Sequence, residues 1–128
     1  MPTFENLKTS AIPQVLSFLP FFEDEAETFY TENNTSFFHP YSYHEQVENF
    51  LGAVYDAKLI QAFEWRAWKE EAQQYYDQPE RLEEADLDIL IRLFTYHIRR
   101  ERFYSGHLVD LLDNGYFMAM LRRLQELT

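Results

Sequence analysis

The sequence predicts a mainly α protein, a compact irregular bundle of five to six helices with a small β-hairpin near residues 26–40. Three observations predict it. Apolar residues recur at three- and four-residue spacing from residue 42 almost to the end, the period that lines one face of a helix. One stretch, residues 21 to 41, breaks that rhythm and carries the Thr and aromatic residues of short strands. Hydrophobic residues make up 46% of the 128 positions and aromatics 18%, enough apolar area for one core and too much for a disordered chain. With 3 glycines, no internal repeat and no Gly/Ser linker, the chain reads as a single domain over 1–128.

The first helix is expected from Ala11 to Leu19, with Ser10 as N-cap, Pro13 harmless in the first turn and Pro20 as the stop. The acidic stretch Glu23 to Glu27 then leads into Thr28-Phe29-Tyr30-Thr31, a turn at Asn33-Asn34, and Thr35 to His39 before Pro40, which together read as the hairpin. Ser42 and Glu45 have capping-box spacing, and Val47, Phe50, Leu51 and Val54 stripe a helix from about Tyr43 to Ala57. The next helix runs from about Glu64 to Tyr76, with Trp65, Trp68, Ala72 and Tyr75 inward. Pro79 closes it, and Pro79 to Glu84 is at most one helical turn. The longest helix starts after an Asp86 cap and reaches about Phe103, because Leu87, Leu90, Ile91, Phe94 and Ile98 keep the period throughout. Two short helices follow, Gly106 to Leu112 and Tyr116 to Leu127, split at Asp113-Asn114-Gly115, where glycine supplies a positive φ. Phe117, Met120, Leu121 and Leu124 form the last buried stripe.

Charge and composition narrow the function classes. There is no cysteine, which removes disulfides, thiolate metal sites and cysteine nucleophiles and fits a reducing cytoplasm. The opening residues lack the apolar run of a signal peptide, and no run is long enough to span a bilayer, so no membrane association is expected. Net charge is −11, which repels phosphate backbones, so no nucleic acid partner is expected either. The charge is uneven: residues 1 to 90 hold 5 basic and 18 acidic side chains, while residues 91 to 128 hold 6 basic and 4 acidic.

The stretch Thr95-Tyr96-His97-Ile98-Arg99-Arg100-Glu101-Arg102-Phe103-Tyr104-Ser105-Gly106-His107-Leu108 carries a T-x-H-x-R-x-x-R-F-x-x-G-H-L pattern. Upstream stand Phe63-Glu64-Trp65-Arg66-Ala67-Trp68 and Pro79-Glu80-Arg81-Leu82 with Ala85-Asp86; downstream stand Asn114-Gly115 and Leu121-Arg122-Arg123-Leu124. Together these resemble a bacterial family catalogued as domain of unknown function 6508. The likeness covers roughly residues 43 to 127, with Glu64 in place of a usual Asp and Met120 in place of a common Ile. The resemblance implies no activity.

The residues themselves offer one cluster for chemistry. Thr95, Arg99, Arg102 and His107 gather at the end of the long helix and the start of the next, where guanidinium groups and free helix N–H groups suit an anion or brace the corner. His97 is a weaker candidate: at about 100° per residue it falls on the opposite flank from Thr95, Arg99 and Arg102 and reads as a core-edge residue. Metal binding is not expected, since neither His39 with His44 nor His97 with His107 has the i, i+4 spacing that presents two imidazoles to one ion. The acidic runs read as solvated faces, Trp65 and Trp68 as core, and no P-loop, dinucleotide fingerprint or nucleophile elbow is present, so no catalytic residue or cofactor is assigned. The leading expectation is a cytoplasmic, non-enzymatic interaction domain working through another protein. Its rival is a domain for a small anionic ligand, conceivably enzymatic. Convergent arginines in a pocket favour the rival, and a flat apolar patch favours the former.

Overall fold

The computed structural model describes residues 9–32 and 40–128. A 3-10 turn at Thr9–Ala11 runs into α1 (Ile12–Leu16), and after a two-residue break α2 (Leu19–Glu23) follows. The single helix expected from Ala11 to Leu19 is therefore two. Pro20, expected to end it, sits in the first turn of α2, where a missing N–H costs no hydrogen bond. Ser10 lies within the 3-10 turn, and neither helix has a side-chain cap. This split brings the α-helices among the described residues to seven rather than five or six.

The hairpin is present with its second strand further on than expected. Strand β1 (Tyr30–Glu32) pairs antiparallel with β2 (Tyr41–Tyr43), Tyr30 opposite Tyr43 and Glu32 opposite Tyr41. Pro40 lacks the N–H a ladder needs, so pairing begins just beyond it. The expected Asn33-Asn34 turn and Thr35 to His39 strand lie outside the described residues. Ser42 is consequently a strand residue and not a cap. His44 caps α3 (Glu45–Asp56) instead, its Nδ1 accepting from the Gln46 N–H at 3.0 Å.

The helix expected from Glu64 opens as a 3-10 turn, Trp65–Trp68, before α4 (Lys69–Asp77), and a second 3-10 turn covers Pro79–Glu84. Asp86 caps α5 (Leu87–Glu101) as expected, its carboxylate accepting from the Ile89 N–H at 2.8 Å. Arg102 and Phe103, expected inside that helix, lie in the turn after it. Helices α6 (His107–Asp113) and α7 (Tyr116–Leu127) complete the chain, and Gly115 between them has φ +77°. The Asn114 carboxamide oxygen accepts from the Tyr116 N–H at 3.0 Å, so this turn also starts α7.

Helix α5 packs against α4, α6 and α7, and α7 packs against α1 and α2. The phenyl rings of Phe22, Phe50 and Phe117 meet edge to face or tilted, with centroids 4.9 to 6.5 Å apart, and join α2, α3 and α7 in one cluster. Phe94 and the predicted stripe Phe117, Met120, Leu121 and Leu124 are buried in the same core. No helix among the described residues is long and apolar enough to cross a membrane.

Candidate functional site

The corner between α5 and α6 is built from the residues of the patterned stretch. Glu101, last in α5, turns its carboxylate over the start of α6 and accepts from the Gly106 N–H at 3.1 Å and the Leu108 N–H at 2.9 Å. These are the donors a helix start leaves without partners, so one side chain closes one helix onto the next. Gly106 is required there twice over. Its φ is +93°, and a Cβ would come within 2.6 Å of the Tyr41 ring, which packs down from β2. Burial, reinforced by the Glu101 carboxylate, raises the Tyr43 phenol and keeps it protonated beside this corner.

That turn brings together two histidines whose spacing in the sequence argued against a common site. His97 Nδ1 lies 3.0 Å from His107 Nε2 with the rings nearly parallel at 15°. His97 is only 2% exposed and its Nε2 has no hydrogen-bond partner. The tautomer in which His97 Nδ1–H donates to His107 Nε2 leaves a bare acceptor buried at Nε2, which costs less than burying an unpaired N–H. Burial, His107 and Arg100 push His97 well below the ordinary imidazole range. Burial and Arg100 push His107 down to about 4, with Asp110 opposing. The pair is neutral and bracing, and a substrate reaches His97 only if the corner opens.

The remaining predicted site residues do not converge with it. Thr95 is fully buried, and its hydroxyl accepts from the Gln61 N–H at 3.0 Å, tying α5 to the loop before the Trp65–Trp68 turn. Arg99 is half-buried and Arg102 exposed, and among the described residues neither makes an ion pair or a side-chain hydrogen bond. The bracing expected of Arg102 comes from its neighbour Glu101. No group of His, Asp or Glu with the makings of a metal site occurs among the described residues.

The structure gathers other cations. Arg66, Lys69 and Arg100 line a cleft of about 370 Å³ together with the rings of Trp65, Tyr96, Phe103 and Tyr104. Each guanidinium lies on aromatic faces: Arg66 is 4.5 Å from the Phe103 centroid and 5.0 Å from that of Trp65, and Arg100 is 4.2 Å from Tyr104 and 5.8 Å from Tyr96. A guanidinium over a ring is held by cation–π attraction, which does not neutralise its charge. Among the described residues none of the three cations is paired with a carboxylate, whereas Arg92, Arg122 and Arg123 are paired with Asp88, Glu23 and Glu126. Trp65, expected in the core, is half-buried and forms a wall of the cleft, while Phe103 and Tyr104 are each 58% exposed at its edge. Sequence reading missed Arg66 and Lys69 because they lie in the acidic part of the chain. The neighbouring Trp-Arg pair was the available signal.

The two largest hollows among the described residues are poorer sites. One of about 730 Å³ between α1, α2 and α3 is lined by Gln14, Gln46, Asn49, Glu48 and Asp56 among others and contains no cation. One of about 790 Å³ beside Ile12, Leu16, Leu87 and Leu127 has no charged side chain among the described residues to fix a ligand.

Fold and cleft together define a small, mainly α domain whose hairpin covers a helix corner and whose long helix ends at a cationic, aromatic cleft. This chain belongs to the family described as a family of unknown function (DUF6508), which it matches over residues 7–128. No curated protein and no solved structure matches it.

Proposed function

We propose that this domain is a cytoplasmic, non-enzymatic binding module that receives an anionic group in the cleft of Arg66, Lys69 and Arg100. The observation that carries the reading is the placement of these three cations. In a chain with 22 acidic and 11 basic side chains, three of the basic ones face a common cleft against aromatic rings and not against carboxylates. Holding like charges together without counter-charge is unfavourable in the empty protein, and an anion relieves it. Among the described residues the lining side chains include no carboxylate, imidazole or aliphatic hydroxyl to act as base or nucleophile, and burial raises the Tyr96 phenol away from neutral pH, which supports binding over catalysis.

The test is a thermal-shift series with phosphate, sulfate and citrate on the wild type and on Arg66→Ala and Arg100→Ala. The wild type is expected to gain melting temperature with anion concentration by mass action, and both variants to lose that gain. A response equal in wild type and variants defeats the reading. The exposure of Phe103 and Tyr104 favours a second reading in which a protein carries the anion, since exposed rings commonly anchor protein interfaces. Its mark is an acidic peptide whose binding is lost in the Phe103→Ala/Tyr104→Ala double variant while inorganic anions still bind.

A further inference from the structure

Resting on the reading of the cleft as an anion site, we infer that its ligand is a phosphate monoester of a molecule that also bears a planar aromatic ring. Two features of the cleft point beyond a simple anion. The first is the amount and type of charge. Two guanidiniums line the cleft, each with a planar fork of N–H donors of the kind that matches an oxyanion with several oxygens, and Lys69 adds a third positive charge. A single carboxylate brings one negative charge and two oxygens to three cations. A phosphate monoester brings about −1.5 to −2 at neutral pH and three terminal oxygens, and so satisfies both forks at once.

The second feature is the apolar wall. Four of the seven lining side chains are aromatic, more than an inorganic ion can use, and the Phe103 and Tyr104 rings remain 58% exposed. Trp65 and Phe103 lie with centroids 5.9 Å apart and planes inclined by 35°, and the Arg66 guanidinium carbon lies over both rings. These ring faces already hold the Arg66 cation at contact distance, so they are accessible to a group laid over them. Arg66 and Lys69 are exposed, so their side chains can turn toward a phosphate while a ring takes the place over Phe103 or Tyr104. A cleft of about 370 Å³ lies near the lower end of the roughly 300–1,000 Å³ range of small-molecule sites and suits one ring with one phosphate. The shared chemistry has two sources, a free mononucleotide, whose phosphate and planar base are joined through a sugar, and a phosphorylated tyrosine side chain.

Calorimetric titration of the full chain with phenyl phosphate, inorganic phosphate and benzoate tests the inference. Phenyl phosphate is expected to bind at least fivefold more tightly than inorganic phosphate, because only it stacks a ring, and at least fivefold more tightly than benzoate, because only it brings close to two charges and three terminal oxygens. Phe103→Leu, at an exposed position, should remove most of the preference for phenyl phosphate over phosphate without weakening inorganic phosphate. Arg100→Gln should weaken both phosphates at least tenfold, and Arg122→Ala should change neither. Adenosine monophosphate and a phosphotyrosine peptide then separate the two sources, the tighter of them naming the ligand. Equal affinity for phenyl phosphate and phosphate, or tighter binding of benzoate, overturns this inference and leaves the anion reading standing. Absence of binding by all three overturns both.

Discussion

At the scale of single residues, the buried histidine pair sets how the protein responds to acid. In the unfolded chain both imidazoles take up protons near pH 6.5. In the folded protein His97 resists protonation because it is buried beside His107 and Arg100, and His107 does so down to about pH 4. Lowering the pH below about 6.5 therefore adds protons to the unfolded state and not to the native one, so the stability of the neutral pair, complete above that pH, is lost progressively toward pH 4. The groups facing the pair are Arg100, Asp110 and the rings of Tyr76, Tyr96 and Tyr116. Melting temperature is expected to fall between pH 7 and pH 5, and His107→Gln, which keeps a polar side chain but cannot titrate, should flatten that slope. An unchanged slope in the variant would sink the assignment. The pair was hidden in the sequence for a geometric reason. The i, i+4 rule holds within one helix, whereas His97 and His107 meet across a turn whose course depends on Gly106 and on the Tyr41 ring against it. Thr95 was legible as a special position on α5, yet its partner, the Gln61 N–H, lies 34 residues away in a loop without periodicity.

At the scale of elements, the periodic segments were legible and their joints were not. Helices α3, α5, α6 and α7 follow from the spacing of their apolar residues, and the Asp86 cap from its place before Leu87. The α1–α2 break was misread because a proline after a helical run is equally suited to stop one helix or to start another. The part of Glu101 in the α5–α6 joint was not legible for a similar reason: arginines dominate the stretch, and a lone glutamate among them reads as an ordinary ion-pair partner. Its geometry gives it the larger role. Glu101→Ala leaves the N–H groups of Gly106 and Leu108 without their acceptor in a partly buried corner and is expected to cost about 1–3 kcal/mol in denaturant unfolding. Arg102→Ala, at an exposed position, should stay within about 0.5 kcal/mol. The reverse order of these two effects would return the brace to the arginine.

At the scale of the whole molecule, the charge distribution decides which anions can reach the cleft. The sequence located positive charge in the last third, and Arg100 belongs there, but Arg66 and Lys69 come from the stretch that is otherwise strongly acidic. Only the packing of the Trp65–Trp68 turn against α5 makes one cleft of them. Cations beside aromatic faces are also the ingredients of a single-strand nucleic-acid platform, and this comparison has a definite outcome. Affinity for a strand grows with the number of phosphates neutralised along its path, so it requires a basic groove that continues past the first nucleotide. Here three cations sit within about 370 Å³ on a molecule of net charge −11, in a chain whose acidic side chains outnumber its basic ones two to one. Each added phosphate then contributes repulsion. Affinity is accordingly expected to stay flat or fall as an oligonucleotide lengthens from one nucleotide to ten, and neither a single strand nor a duplex should be retarded in a mobility assay at about 0.15 M salt. Affinity that climbs with strand length and collapses with salt would show a basic track that these residues do not form.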